Sequence, residues 1–164
     1  MAESYPSSAI DLPDEAATIA LAQRLASWLR AGGVLYLRGE LGAGKTTFAR
    51  ALLQTLGAGE RIKSPTYSLL ERYRLANGGD AFHLDLYRIA APGELEWLGL
   101  DELRDTAALV LVEWPERGGD ALPSADLEIA LEHANGGRRA RLRAVSLRAA
   151  PWLTEMTPLA QGES

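Results

Sequence analysis

The sequence contains no cysteine, which excludes a disulfide framework, a thiolate nucleophile and a sulfur-ligated zinc or iron–sulfur site. Its two histidines, His83 and His133, are too few for a histidine-rich metal centre. No apolar run approaches the ~20 residues that span a bilayer. The most sustained run, Ala107 to Val112, has the length of a strand. Residues 1–13 are polar and acidic, without a basic stretch followed by an apolar one, so the expected location is cytoplasmic. Basic side chains number 17 against 22 acidic ones, a formal net charge of −5. Such a chain does not attract phosphate backbones as a whole, so a role on nucleic acid requires a local basic patch or a partner protein. Lysine is scarce among the basic residues: only Lys45 and Lys63 occur.

What is present suits one soluble domain. The chain has 164 residues, 47% apolar and 24% charged. Residues 1–12 read as a loose lead-in, 13–150 as a single domain, and 151–164 as a tail without an assigned element. Pro13 to Leu29 is expected to be helical, with Pro13 in its first turn and Leu21, Leu25, Trp28 and Leu29 on one face. Val34 to Leu37 is a short apolar strand. A helix from Lys45 to Leu56 should close at Gly57 and Gly59. Asn77-Gly78-Gly79 and Asn135-Gly136-Gly137 each join two strand-like runs and predict hairpins. Glu94 to Leu103 is expected to be helical, and Leu109 to Glu113 a buried strand. With the turn Gly39–Thr46, which fits the phosphate-loop pattern G-x-x-x-x-G-K-[ST] between strand and helix, the fold class is α/β: a P-loop NTPase with a mostly parallel central sheet, flanking helices and added β-hairpins.

The strongest motif is Gly39-Glu40-Leu41-Gly42-Ala43-Gly44-Lys45-Thr46, which fits G-x-x-x-x-G-K-[ST] between an apolar strand and a helix. Small residues let the backbone N–H groups around Gly42, Ala43, Gly44, Lys45, Thr46 and Thr47 converge on phosphate oxygens. Lys45 supplies a cation for the β- and γ-phosphates, and the Thr46 hydroxyl is a ligand for Mg²⁺. The new helix adds its positive end. ATP and Mg²⁺ are the implied cofactors. Such a site needs carboxylates, and two stand at strand ends: Asp85 and Glu113. The residues alone leave open which one touches the metal. Glu113 is placed beside Mg²⁺ with Thr46, and Asp85 near the γ-phosphate and its attacking water.

Four segments occur in order: the phosphate loop, Lys63-Ser64-Pro65-Thr66-Tyr67, His83-Leu84-Asp85-Leu86-Tyr87-Arg88, and Glu113-Trp114-Pro115-Glu116. Together they closely resemble the TsaE family of bacterial P-loop ATPases, over about residues 13 to 146. The resemblance implies an auxiliary ATPase in making threonylcarbamoyladenosine in tRNAs that read codons beginning with A. It would act on the TsaD–TsaB heterodimer, meeting tRNA only through that complex and neither DNA nor membrane. It further implies roles for Lys45, Asp85 and Glu113 in catalysis, for Thr46 and Glu113 at the metal, and for Thr66 in a switch-like loop. Trp114 becomes a functional aromatic, and Glu15 and Arg138 become residues near the nucleotide.

Other residues have plainer readings. His83 is expected to be packed or hydrogen-bonded rather than a metal ligand. Trp114 by itself reads as a core aromatic. Arg139, Arg141 and Arg143 share a strand face, read as solvated, with a patch for nucleotide, tRNA or acidic partner as the sharper alternative. Arg88 is a candidate charge stabiliser near Asp85. Two other functions compete with a partner-dependent ATPase: a small-molecule P-loop kinase with Asp85 as base, and a nucleotide sensor that does not hydrolyse. A GTPase is disfavoured because no Asn-Lys-x-Asp occurs.

Overall fold

The computed structural model describes residues 6–59, 69–91, 93–95, 100–104 and 107–161. In chain order the elements are β1 (Ser7–Leu12), α1 (Glu15–Leu29), β2 (Gly33–Arg38), α2 (Lys45–Thr55), β3 (Leu70–Arg74) and β4 (Asp80–Asp85). They continue with β5 (Leu109–Glu113), β6 (Leu127–Ala134), β7 (Gly137–Ala144) and α3 (Ala150–Gln161). Short 3₁₀ turns cover Leu100–Arg104, Pro115–Arg117 and Gly119–Ala121. Among the described residues no helix is long and apolar enough to cross a membrane.

α1 begins where Asp14 caps it, accepting a 2.9 Å hydrogen bond from Ala17 N–H. Pro13 thus precedes the cap instead of entering the first turn. Thr18, Leu21, Ala22, Leu25, Ala26 and Leu29 are buried at helical spacing, while Trp28 is only half-buried. α2 ends in a Schellman motif: Ala58 N–H donates to Leu53 C=O and Gly57 N–H to Gln54 C=O.

The strands form one sheet in the order β1-β7-β6-β2-β5-β4-β3. The four central strands are parallel, and antiparallel hairpins extend both edges. Asn135 and Gly136 both have positive φ (49° and 81°), the conformation that a tight two-residue hairpin turn requires. One sheet face packs Leu35, Leu37, Leu109, Leu111, Leu127 and Ile129 against the buried sides of the helices. The other face, around Phe82, Leu84, Val110 and Val112, is covered by Leu86, Ile89, Leu95, Leu103 and Leu122.

Three expectations change. Residues 7–12 are not loose. They form an edge strand paired with β7 along its length, because Leu12 is buried and the β7 edge would otherwise be open. The C-terminal segment is also ordered into the core: α3 buries Trp152 and Leu153, and Glu155 accepts a 3.1 Å hydrogen bond from Trp28 Nε1. The helix expected over 94–103 is described only at its two ends, where 93–95 and 100–104 are 3₁₀ turns.

Candidate functional site

β2 is the point where chain order reverses, with β5 on one side and β6 on the other. Ligands of open parallel sheets lie beyond the carboxyl ends of the strands at such a point. Three strand ends meet here. β2 runs into the loop 39–44, and Leu37 of β2 and Asp85 of β4 both stand opposite Glu113 of β5. Parallel pairing therefore brings Asp85 together with Glu113, 28 positions further along the chain, beside the loop.

The loop's shape depends on glycine. Gly39 has φ +146°, and a Cβ there would stand 2.5 Å from the Leu131 carbonyl oxygen. Gly44 caps α2 with φ +107°. α2 thus starts at Lys45 with its N-terminal amides at the cavity, the arrangement that binds anions.

Two cavities flank this loop. One of about 240 Å³ is lined by Glu40, Leu41, Gly42, Gly44, Lys45, Thr46, Thr47, Asp85, Tyr87, Glu113 and Trp114. On the other side of the loop, Glu15, Thr18, Gly42, Gly44, Thr47 and Arg138 line a cavity of about 290 Å³. Gly42, Gly44 and Thr47 border both, so a phosphate chain over the loop would reach from one to the other. Arg138 ties the second cavity to the loop, since its Nη2 donates to Gly42 C=O at 3.0 Å. Ala43 lines neither cavity. Its methyl group is in the core and its N–H donates to Glu40 C=O at 3.1 Å.

Lys45 is buried and donates to the carbonyls of Gly39 and Glu40, the latter at 3.2 Å. Burial lowers its pKa, against the opposing fields of Glu113, Asp85 and Glu116. Its ammonium also lies 4.2 Å from the centroid of the Trp114 ring. Trp114 is therefore a half-buried wall of the site and not the core aromatic expected from sequence alone. Its backbone sits in the left-handed region (φ 58°), and its ring packs against Tyr87 at 5.2 Å. Arg117 lies over both rings, 5.6 Å from Tyr87 and 5.5 Å from Trp114. Asp85 has its pKa raised, first by burial and then by the charge of Glu113. The Tyr87 N–H, donating to Asp85 Oδ1 at 3.1 Å, acts in the opposite direction.

The donor set suits a hard cation. Thr46, Asp85 and Glu113 present only oxygen to the smaller cavity. Among the described residues no group of three or more His, Cys, Asp and Glu forms a dedicated cage. Asp85 and Glu113 supply the one or two carboxylates that a hard divalent cation takes alongside phosphate oxygens.

Not all expected residues are gathered here. Thr66 and Lys63 lie outside the described residues. Arg88 is exposed and outside the lining of both cavities. The arginine stripe is paired: Arg139 with Asp11 at 3.0 Å, Arg141 with Glu132 at 2.9 Å and Arg143 with Glu128 at 2.7 Å. These cross-strand acids neutralise the patch, which favours the solvated-face reading. His83 is hydrogen-bonded as expected, but its partner is one of the two acids, and Tyr87 is a site residue that the sequence did not single out. Tyr87, in the turn after β4, lines the smaller cavity beside Asp85, and His83 reaches Glu113 across the β4–β5 pair.

A family model described as "Threonylcarbamoyl adenosine biosynthesis protein TsaE" matches residues 12–141. The chain is 43% identical over 109 residues to the tRNA threonylcarbamoyladenosine biosynthesis protein TsaE of Haemophilus influenzae, covering 66% of this chain and 68% of that one. It is 37% identical over 129 residues to the protein of the same name from Bacillus subtilis, covering 77% of each. Among solved structures, the crystal structure of YdiB from Bacillus subtilis matches with a TM-score of 0.74 at 27% identity, over 99% of this chain and 100% of that one.

Proposed function

The chain belongs to the TsaE family of threonylcarbamoyl adenosine biosynthesis proteins, and on that premise we propose that it is an ATPase that drives a partner enzyme. It would bind ATP with Mg²⁺, hydrolyse it, and so support threonylcarbamoyl transfer to tRNA by a TsaD–TsaB complex. The observation that carries this reading is the convergence of Lys45, Thr46, Asp85 and Glu113 on one cavity at the carboxyl ends of parallel strands.

In this reading the triphosphate lies over Gly42 to Thr47, where backbone N–H groups and the α2 N-terminus meet its oxygens. Lys45 exchanges its bonds to the Gly39 and Glu40 carbonyls for bonds to phosphate. Thr46 and Glu113 would hold Mg²⁺, which when bound would supply positive charge against the negative charge developing on the phosphate oxygens. Asp85, across the strand pair from Glu113 in the same cavity, orients the attacking water. The nucleoside occupies the larger cavity, between Glu15 and Arg138. Among the described residues no arginine lines the smaller cavity. Arginine is a strong stabiliser of phosphoryl transfer, so slow hydrolysis by the chain alone is expected, with acceleration by the partner.

The test is steady-state ATP hydrolysis with and without a TsaD–TsaB pair, repeated for Lys45→Ala, Asp85→Ala and Glu113→Ala. Stimulated turnover that each substitution abolishes is expected. Tight ATP binding with no single-turnover hydrolysis would favour a nucleotide sensor instead, and ADP release only with one small acceptor would favour a kinase.

A further inference from the structure

His83 lines neither cavity, yet its side chain reaches one of the two acids. In the β4–β5 register His83 stands opposite Leu111 and Asp85 opposite Glu113. Ring and carboxylate are thus diagonal neighbours on one sheet face. His83 Nε2 lies 2.7 Å from Glu113 Oε2. Both side chains are buried, His83 at 1% and Glu113 at 3% exposed. The other ring nitrogen, Nδ1, is buried and has no hydrogen-bond partner among the described residues. The imidazole's polar contact is therefore directed at Glu113. A ring retained only for volume could be exchanged for an apolar side chain without loss. Here such an exchange would leave a buried carboxylate oxygen unpaired.

Glu113 also borders the smaller cavity. A glutamate has three rotatable side-chain bonds, and a single hydrogen bond to one oxygen removes most of that freedom. We infer that His83 is a positioning residue for the metal-side carboxylate. Its Nε2–H donates to Oε2, which fixes the rotamer of Glu113 and leaves the rest of the carboxylate for the divalent cation that accompanies the nucleotide. This inference rests on the reading of Glu113 as a metal-side acid. Hydrogen-bonded partners behind metal ligands commonly set metal affinity in this way.

Mn²⁺ binding to the full chain in the presence of ADP, followed by electron paramagnetic resonance, tests it without reference to turnover. His83→Leu should raise the Mn²⁺ dissociation constant about 10–100-fold, while ADP affinity in EDTA stays unchanged. His83→Gln, whose amide N–H reaches a similar distance, should recover most of the metal affinity. A folded His83→Leu protein with wild-type Mn²⁺ affinity would overturn the inference, as would equal losses in His83→Leu and His83→Gln. If His83→Leu does not fold, His83→Asn replaces it. That side chain is too short to reach Glu113, so it must lose metal affinity relative to His83→Gln, and parity between the two overturns the inference. Wild-type protein whose ADP binding shows no dependence on divalent metal would instead overturn the proposed function itself.

Discussion

A methyl group added at Gly39 meets two obstacles, whereas one added at Gly42, three residues later in the same loop, meets only one. At Gly39 the backbone has φ +146°, and the new carbon would stand 2.5 Å from the Leu131 carbonyl oxygen and 3.3 Å from Ala43 Cβ. Leu131 lies in β6 one residue past the β2 pairing and stands opposite Ala140 of β7, a ladder that limits how far its carbonyl can retreat. Forcing alanine into this backbone costs about 1–3 kcal/mol in conformation, and crowding adds about 1–3 kcal/mol. At Gly42, φ is +80° with nothing within 4 Å of the added carbon. Only the left-handed backbone then counts, roughly 1–2 kcal/mol. With a urea slope of about 2 kcal/mol per M, Gly39→Ala should lower the unfolding midpoint by about 1–3 M. On the same slope Gly42→Ala should lower it by no more than about 1 M. Urea titrations followed by tryptophan fluorescence measure both. Gly39→Ala should also weaken ADP binding, because the loop amides that follow Gly39 must move from the positions that meet phosphate. A midpoint for Gly39→Ala equal to that of Gly42→Ala would refute the steric argument.

Burial and Glu113 make folded Asp85 hold its proton more tightly than the unfolded chain does, where its ordinary pKa is near 3.8. Ionisation therefore costs the native state stability as pH rises above that value, so Asp85→Asn should raise Tm at pH 7, with the gain vanishing below about pH 4; an equal or lower Tm at pH 7 refutes this. Removal of residues 1–12 strips β1 from β7 and loses the buried Leu12, worth about 1.5–3 kcal/mol by itself. Calorimetry should then show a Tm lower by several degrees, and an unchanged Tm would mean that the edge strand adds nothing.

Much of this molecule was legible in short stretches of chain. The phosphate loop, the two Asn-Gly-Gly hairpins, the strand Leu109–Glu113 and the helix closed by Gly57 are local patterns. Turn conformation and alternation of apolar residues act within a few residues, so no distant contact is needed to read them. The edge segments were different. Ser7–Leu12 carries a weak strand pattern, and becomes a strand only because β7 presents an open ladder beside it. α3 follows a proline-containing start and is stabilised by burial of Trp152 and Leu153 on a core built elsewhere. Trp114 illustrates the same limit, since nothing in its neighbours along the chain announces that Lys45 lies beneath its ring.

The sequence by itself determined the chemistry that is available: a glycine-rich loop with one lysine and one hydroxyl, two acids at strand ends, and no thiol or histidine cluster to offer anything else. Tertiary structure alone decided how those groups meet. Parallel pairing of β2, β5 and β4 sets Glu113 beside both the phosphate loop and Asp85. That same register gives Glu113 the imidazole of His83, and cross-strand pairing turns the one basic stripe into a set of ion pairs. Side-chain types and turn preferences are properties of neighbouring residues. Register is set by the collective burial of two sheet faces, and that is where the candidate site acquires its geometry.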